Sequence, residues 1–332
     1  MADQTFTIEP SGPFSLAEAA MFGFGQRGGE AFDGVMRLAF CLDGYASQVG
    51  VEVRQNDSGL VRCALAGPAG ADVDAVRRQV ARVLSLDYDG TEFTRIGERD
   101  PVIGRLQAAA PGLRPPLFYS PYEAAAWCVL SARRPARQMM TVRQRLSEAH
   151  GAVFDLAGRP LAAFPTPQAL LAVESFPGIP AEKLVRLHGV AEAALAGQLD
   201  SASLMKQDPD AAMAELQRIK GIGPFYSALI VIRGTGFADV LPVAEPQAIA
   251  LTARLYDTGE PLAETAFRAL AEAWRPLRTW AVVLIRAAGP RVLGEPPPPG
   301  RPGAGQPRVR LVTRPRRITA RTALASAPRQ IV

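Results

Sequence analysis

Leu216-Gln217-Arg218-Ile219-Lys220-Gly221-Ile222-Gly223-Pro224-Phe225-Tyr226-Ser227-Ala228 is the stretch that decides the fold. Two glycines bracket one apolar residue, and apolar positions at helical spacing lie on both sides. The pattern predicts two helices joined by a tight hairpin, because residues without a Cβ take positive φ and allow another backbone or a ligand to come close. Pro224 suits the first turn of the second helix, where its missing N–H costs nothing. The free N–H groups there lie at the positive end of the helix dipole and favour an anion such as phosphate. Gly221, Ile222 and Gly223, with Lys220 beside them, are therefore candidate phosphate-binding residues.

Outward from the hairpin the punctuation is helical. Asp100-Pro101, Ser120-Pro121, Thr166-Pro167 and Asp208-Pro209 each set a capping oxygen before a proline. Helices are predicted over residues 122–131, 141–150, 182–197, 209–220, 246–256, 262–274 and 278–288, with a small hairpin inside 154–164. Before residue 87 the pattern changes. Residues 5–9, 34–42, 47–54 and 59–65 read as strands, Ser15 to Glu18 as a capping box, and Asp72 opens an amphipathic helix. The fold class is α+β: a small antiparallel sheet domain over 1–86, then an all-helical domain over 87–293. Residues 294–332 form a Pro/Arg-rich tail read as disordered.

Composition narrows the chemistry. The 332 residues are 48% hydrophobic, enough for a sizeable core. The sequence begins with neither a basic leader nor an apolar segment of membrane length, so a cytoplasmic protein is expected. Cys41, Cys63 and Cys128 are widely spaced, and only His150 and His188 are present. That pattern argues against a disulfide framework, a zinc or iron–sulfur site and a Ser-His-Asp triad. The net charge is +5, but eight arginines beyond Gly294 face Glu295 alone, so the rest of the chain is slightly acidic. Basicity therefore belongs to the tail and cannot by itself assign a nucleic-acid partner to the body.

The hairpin segment resembles the helix-hairpin-helix of base-excision DNA glycosylases. Further segments resemble the 3-methyladenine DNA glycosylase II group within them: Asp100 to Leu106, Gly112-Leu113-Arg114-Pro115, Ser120 to Ala124, Phe176 to Lys183, Asp239-Val240-Leu241-Pro242 and Trp274 to Ala281. The resemblance spans roughly residues 5–290 and implies a monofunctional enzyme of base-excision repair. Such an enzyme hydrolyses the N-glycosidic bond of an alkylated purine flipped out of double-stranded DNA. In that family an aspartate follows the Leu-Pro pair and starts the next helix; here the position falls on Glu245, one methylene longer, which becomes the candidate catalytic carboxylate. Tyr122, Trp127 and Tyr226 are the candidate base-pocket aromatics. Arg133 and Arg134 stand where the family keeps a glutamine-containing wedge and are candidate wedge or DNA contacts. The Schiff-base lysine of bifunctional relatives is missing from residues 224–233. The resemblance implies a monomer associated with the nucleoid, with no metal and no cofactor beyond a monovalent cation at the hairpin. The alternative is a catalytically silent DNA-binding or lesion-sensing protein on the same fold.

Overall fold

The structure, a computed structural model, describes residues 4–22, 32–68, 70–259 and 262–295; the glycine-rich stretch 23–31 and the tail beyond 295 lie outside them. The N-terminal part holds strands β1 (Gln4–Ile8), β2 (Met36–Cys41), β3 (Gln48–Gln55) and β4 (Val61–Ala66), with helices α1 (Leu16–Phe22) and α2 (Val73–Val83). The sheet is antiparallel throughout, in the order β1-β4-β3-β2. Alternation sends Phe6, Val51, Val53, Cys63 and Leu65 to one face, where they share a core with Val76 and Val80 of α2. The other face receives a two-stranded hairpin from much later in the chain, β5 (Val153–Leu156) and β6 (Arg159–Ala162). Gly50 makes room for it: a Cβ there would lie 2.7 Å from the Cβ of Phe154.

The rest is helical: α3 (Gly90–Arg99), α4 (Pro101–Ala109), α5 (Pro121–Ser131), α6 (Ala136–His150), α7 (Pro167–Leu171), α8 (Ala181–Leu195), α9 (Ser201–Met205), α10 (Pro209–Leu216), α11 (Pro224–Ile230), α12 (Pro246–Leu255), α13 (Glu264–Ala271) and α14 (Arg278–Val292). Asp100, Ser120, Thr166 and Asp208 cap their helices through the side chain, as their positions before proline predicted. The helices form two cores. One joins α5 to α11 around Tyr122, Leu130, Leu187 and Ile230. The other joins α3, α4 and α12 to α14 around Ile96, Leu106, Phe267 and Trp274.

Some boundaries differ from the sequence reading. The helix expected over 209–220 stops at Leu216, and the one expected over 262–274 is α13 followed by a 3₁₀ turn at Glu272–Trp274. Beyond α11 the chain continues as a π-helical turn, Val231–Thr235, closed by Gly236 at φ 106°. Wide and tight turns of this kind have no compositional signature and arise from packing.

Buried polar side chains tie these parts together. Arg114, 1% exposed, donates to five backbone carbonyls. They are those of Pro13 at 2.9 Å, Ser85 and Tyr88 at 3.0 Å, Gly12 at 3.1 Å, and Ser11. Its guanidinium also stacks over Phe14 and Trp280. Glu123 of α5 accepts from Arg143 at 2.6 Å and from the Cys41 backbone N–H at 3.5 Å, joining helices to sheet. Burial pushes its carboxyl up to about 7, the nearby Arg143 charge only partly opposing this. Asp100 caps α4 and also accepts from the Tyr256 hydroxyl at 2.5 Å and the Trp274 indole at 3.0 Å.

Arg114→Met should lower stability by about 3–5 kcal/mol, because it strands buried carbonyls without a donor. Urea denaturation measures this, with Arg134→Met in an exposed loop as a control that should shift by less than about 0.5 kcal/mol. A second expectation concerns pH. Glu123 holds its proton up to about 7 in the folded state, against an ordinary 4.5. Its contribution to stability is therefore full below 4.5 and is lost as pH rises through about 7. The melting temperature of the wild type relative to Glu123→Gln should fall between about pH 5 and about pH 8. A constant difference across that window would contradict the assignment.

Candidate active site

The hairpin is built on two buried isoleucines. Ile219 N–H donates to the Leu216 carbonyl at 3.1 Å and Ile222 N–H to that of Ile219 at 3.0 Å, with both side chains sunk into the core below. Gly221 between them has φ 101°, a conformation that L side chains rarely adopt. A Cβ there would come within 3.2 Å of Arg186 Cδ on α8 and 3.7 Å of Val129 on α5, so the turn is pressed against both helices. Gly223, the N-cap of α11, is extended, and a Cβ there would meet nothing within 4 Å. Its outer side is open. Pro224 has no N–H, so Phe225 and Tyr226 carry the donors that the first helical turn leaves unpaired.

Basic side chains lie beside the hairpin. Lys183 of α8, one turn before Arg186, donates to the carbonyls of Leu130 at 2.6 Å and Ala132 at 2.8 Å, closing the C-terminus of α5. Burial, and then the charges of Arg134 and Arg186, hold its ammonium below the ordinary lysine range. The loop that Lys183 fixes presents Arg133, at φ 55°, and Arg134, both exposed. Lys220 is exposed at the hairpin itself.

Between the two helical cores lies a cleft of about 860 Å³. Phe225, Leu229 and Ile232 line one wall, and Val282 and Val283 of α14 the other. The loop before α12 closes it, and that loop is zipped to the start of α14. Asp239 accepts from Arg278 Nε at 2.8 Å and from Arg275 at 2.7 Å. Thr279 N–H donates to Ala238 at 2.9 Å, Thr279 Oγ1 donates to the Val240 carbonyl at 2.7 Å, and the Val240 N–H returns a bond to Oγ1 at 3.1 Å. Glu245 follows as the N-cap of α12 and lines the cleft. Aspartate at an N-cap bonds back to the helix, whereas glutamate reaches too far. The Glu245 side chain makes no capping bond, and no donor among the described residues holds its carboxylate.

No family model matches the chain. Curated relatives do. The chain is 28% identical over 225 residues to the Probable bifunctional transcriptional activator/DNA repair enzyme AlkA of Mycobacterium tuberculosis, covering 67% of this chain and 44% of that protein. It is 28% identical over 187 residues to DNA-3-methyladenine glycosylase 2 of Escherichia coli, covering 55% of this chain and 63% of that one. Among solved structures, a 3-methyladenine DNA-glycosylase from Archaeoglobus fulgidus superposes with a TM-score of 0.67 at 20% identity, over 84% of this chain and 96% of that one. The chain is thus similar in sequence to DNA-3-methyladenine glycosylases and shares the fold of that solved glycosylase. The chain spans about half the length of the curated relatives it matches.

In this helix-hairpin-helix protein the aromatics singled out from the sequence do not line the cleft. Tyr122 is 0% exposed, sits in the core against Tyr45 and Phe164, and donates its hydroxyl to the Pro165 carbonyl at 3.0 Å. It cannot receive a base where it stands. Trp127 and Tyr226 are half-buried and pack against that same core. The cleft's rings are Phe22 and Phe225, and most of its remaining apolar wall is aliphatic. The stripe 225-229-232 has helical spacing and is visible in the sequence. The neighbouring stripe 226-230 is equally apolar, and only packing shows which one the core takes. Cys41, Cys63 and Cys128 are free and buried, with burial pushing the Cys63 thiol up to about 12.

The two hairpin glycines should respond differently to alanine. Gly221→Ala is expected to cost about 1–3 kcal/mol of stability through a strained φ. Gly223→Ala, with open space at its Cβ, should cost less than about 1 kcal/mol. Thermal unfolding of the two variants checks this.

Proposed function

We propose that the protein is a monofunctional DNA glycosylase that excises alkylated purines flipped out of double-stranded DNA. The observation that carries this reading is the Glu245 carboxylate, unbonded at a helix start and set in a cleft whose opposite wall is the hairpin's second helix. The hairpin would give the duplex a backbone hold: the open side of Gly223 leaves room for a phosphate, and the unpaired N–H groups of Phe225 and Tyr226 in the first helical turn would be its donors. Arg133, Arg134 and Lys220 supply exposed positive charge that would attract the duplex backbone.

The chemistry follows from the charge that develops. As the C1′–N9 bond breaks, its electron pair leaves with the base and the sugar gains oxocarbenium character. A carboxylate nearby stabilises that charge. It also accepts a proton from the water that adds to C1′. No lysine lies within residues 224–233, and Lys183 is held by two carbonyls. This reading therefore assigns no Schiff-base amine, has no lyase step and needs no cofactor.

The test is base release from methylated duplex DNA. The wild type should free 3-methyladenine or 7-methylguanine, and Glu245→Gln should be slower by about 10²–10⁴-fold while binding duplex equally well. Equal rates for the two proteins, or duplex binding without any release, would sink the catalytic role of Glu245.

A further inference from the structure

The cleft carries one group that the hydrolytic reading leaves unused. Four arginines line it. Arg254 pairs with Glu295, Arg268 with Glu264, and Arg233 donates to the Pro116 carbonyl. Arg286 of α14, half-buried, is held by no acceptor among the described residues. A guanidinium in partly apolar surroundings without an acceptor is costly, since each donor removed from water wants a partner. Its neighbours along the cleft wall are Val282 and Val283, both buried, which supply none.

Its position is fixed relative to Glu245. α12 and α14 run side by side in the same direction. Asp239, just before α12, is bonded to Arg278 at the start of α14, and Leu251 and Leu255 of α12 lie 3.3–3.8 Å from where a Cβ on Gly289 would be. Arg286, one turn before Gly289, therefore falls between these two anchor points, on the stretch of α14 that faces the same cleft as Glu245. A base presented to that carboxylate would meet the guanidinium further along the cleft.

Resting on the glycosylase reading, we propose that Arg286 is the specificity-determining residue of the base pocket and reads an acceptor edge of the flipped purine. Guanidinium only donates, and it pairs with the O6 and N7 edge of guanine-type bases. An exocyclic amino group at C6 would set donor against donor and leave Arg286 at most the N7 acceptor in place of a bidentate pair. A purine carrying oxygen at C6 is thus preferred over one carrying an amino group.

The decisive probes are two duplexes bearing a non-cleavable 2′-fluoro nucleoside, deoxyinosine or deoxyadenosine, at the same position. They differ in the group at C6 and do not require turnover. Arg286→Met should weaken binding of the inosine duplex by about 10-fold or more and that of the adenosine duplex by less than about 2-fold, the ratio cancelling any difference in base pairing. Arg286→Lys, which keeps the charge and loses the fork, should fall between. Equal loss on both duplexes would make Arg286 a phosphate contact and overturn the proposal, as would no loss on either. Melting temperatures matching the wild type confirm that the variants are folded. Base release separates the two readings. A wild type that frees no base yet keeps the Arg286-dependent inosine preference refutes hydrolysis and retains the base reader. A wild type that frees bases with Arg286→Met unchanged on every substrate does the reverse.

Discussion

Arg114 is the contact on which the arrangement of the molecule depends. Its guanidinium is almost wholly removed from water, and no carboxylate among the described residues is bonded to it. Instead it gathers carbonyls from residues 11–13, ahead of α1, and from residues 85 and 88, at the junction between sheet and helices. It also touches Trp280 of α14, in the second helical core. Burial holds its pKa down to about 10, still far above neutrality, so the charge stays and the carbonyls remain satisfied. Gly90 lies so close that any Cβ there would overlap the guanidinium. One side chain thus fixes where the N-terminal sheet sits relative to α14.

From α14 the constraint passes to the cleft. The start of that helix holds residues 238–240 through Asp239 and Thr279, and those residues lead directly to Glu245. Rigid support of this kind is what the proposed catalytic role of Glu245 would require, since placement errors of about an ångström are costly. Asp239, at the start of the loop that leads to Glu245, is occupied by Arg275 and Arg278, and Glu295 at the cleft is paired with Arg254, whereas the Glu245 side chain at the start of α12 makes no capping bond. On the facing wall the hairpin is anchored by Ile219, Ile222 and the tight approach of Gly221 to α8. Two independently braced elements therefore meet across the cleft.

Much of the fold was legible because its signals are local. Strand alternation before residue 87, the capping residues before proline and the glycine hairpin all act within a few residues of themselves, and the structure carries each. That a carboxylate would stand at the start of α12 was legible too, by its offset from Leu241-Pro242. The pocket was not. Tyr122 and Phe225 are both aromatic residues at helix starts, and nothing local tells that α5 is wrapped on all sides while α11 has one face open. Arg286 gave no signal at all, because lacking an acceptor is a property of its neighbours in space.

By itself, then, the sequence determined the element types, the hairpin and the α+β order of the chain, since backbone conformation, capping and periodicity are settled by residues close along the chain. It also determined that a carboxylate would stand at the start of α12. Only the tertiary structure decided which apolar stripe became core and which became cleft wall, that Asp239 is consumed by arginines while Glu245 is not, and that Arg286 shares its cleft. Each of those depends on partners tens to hundreds of residues apart, brought together by burial of the two helical cores and by the carbonyls that Arg114 collects.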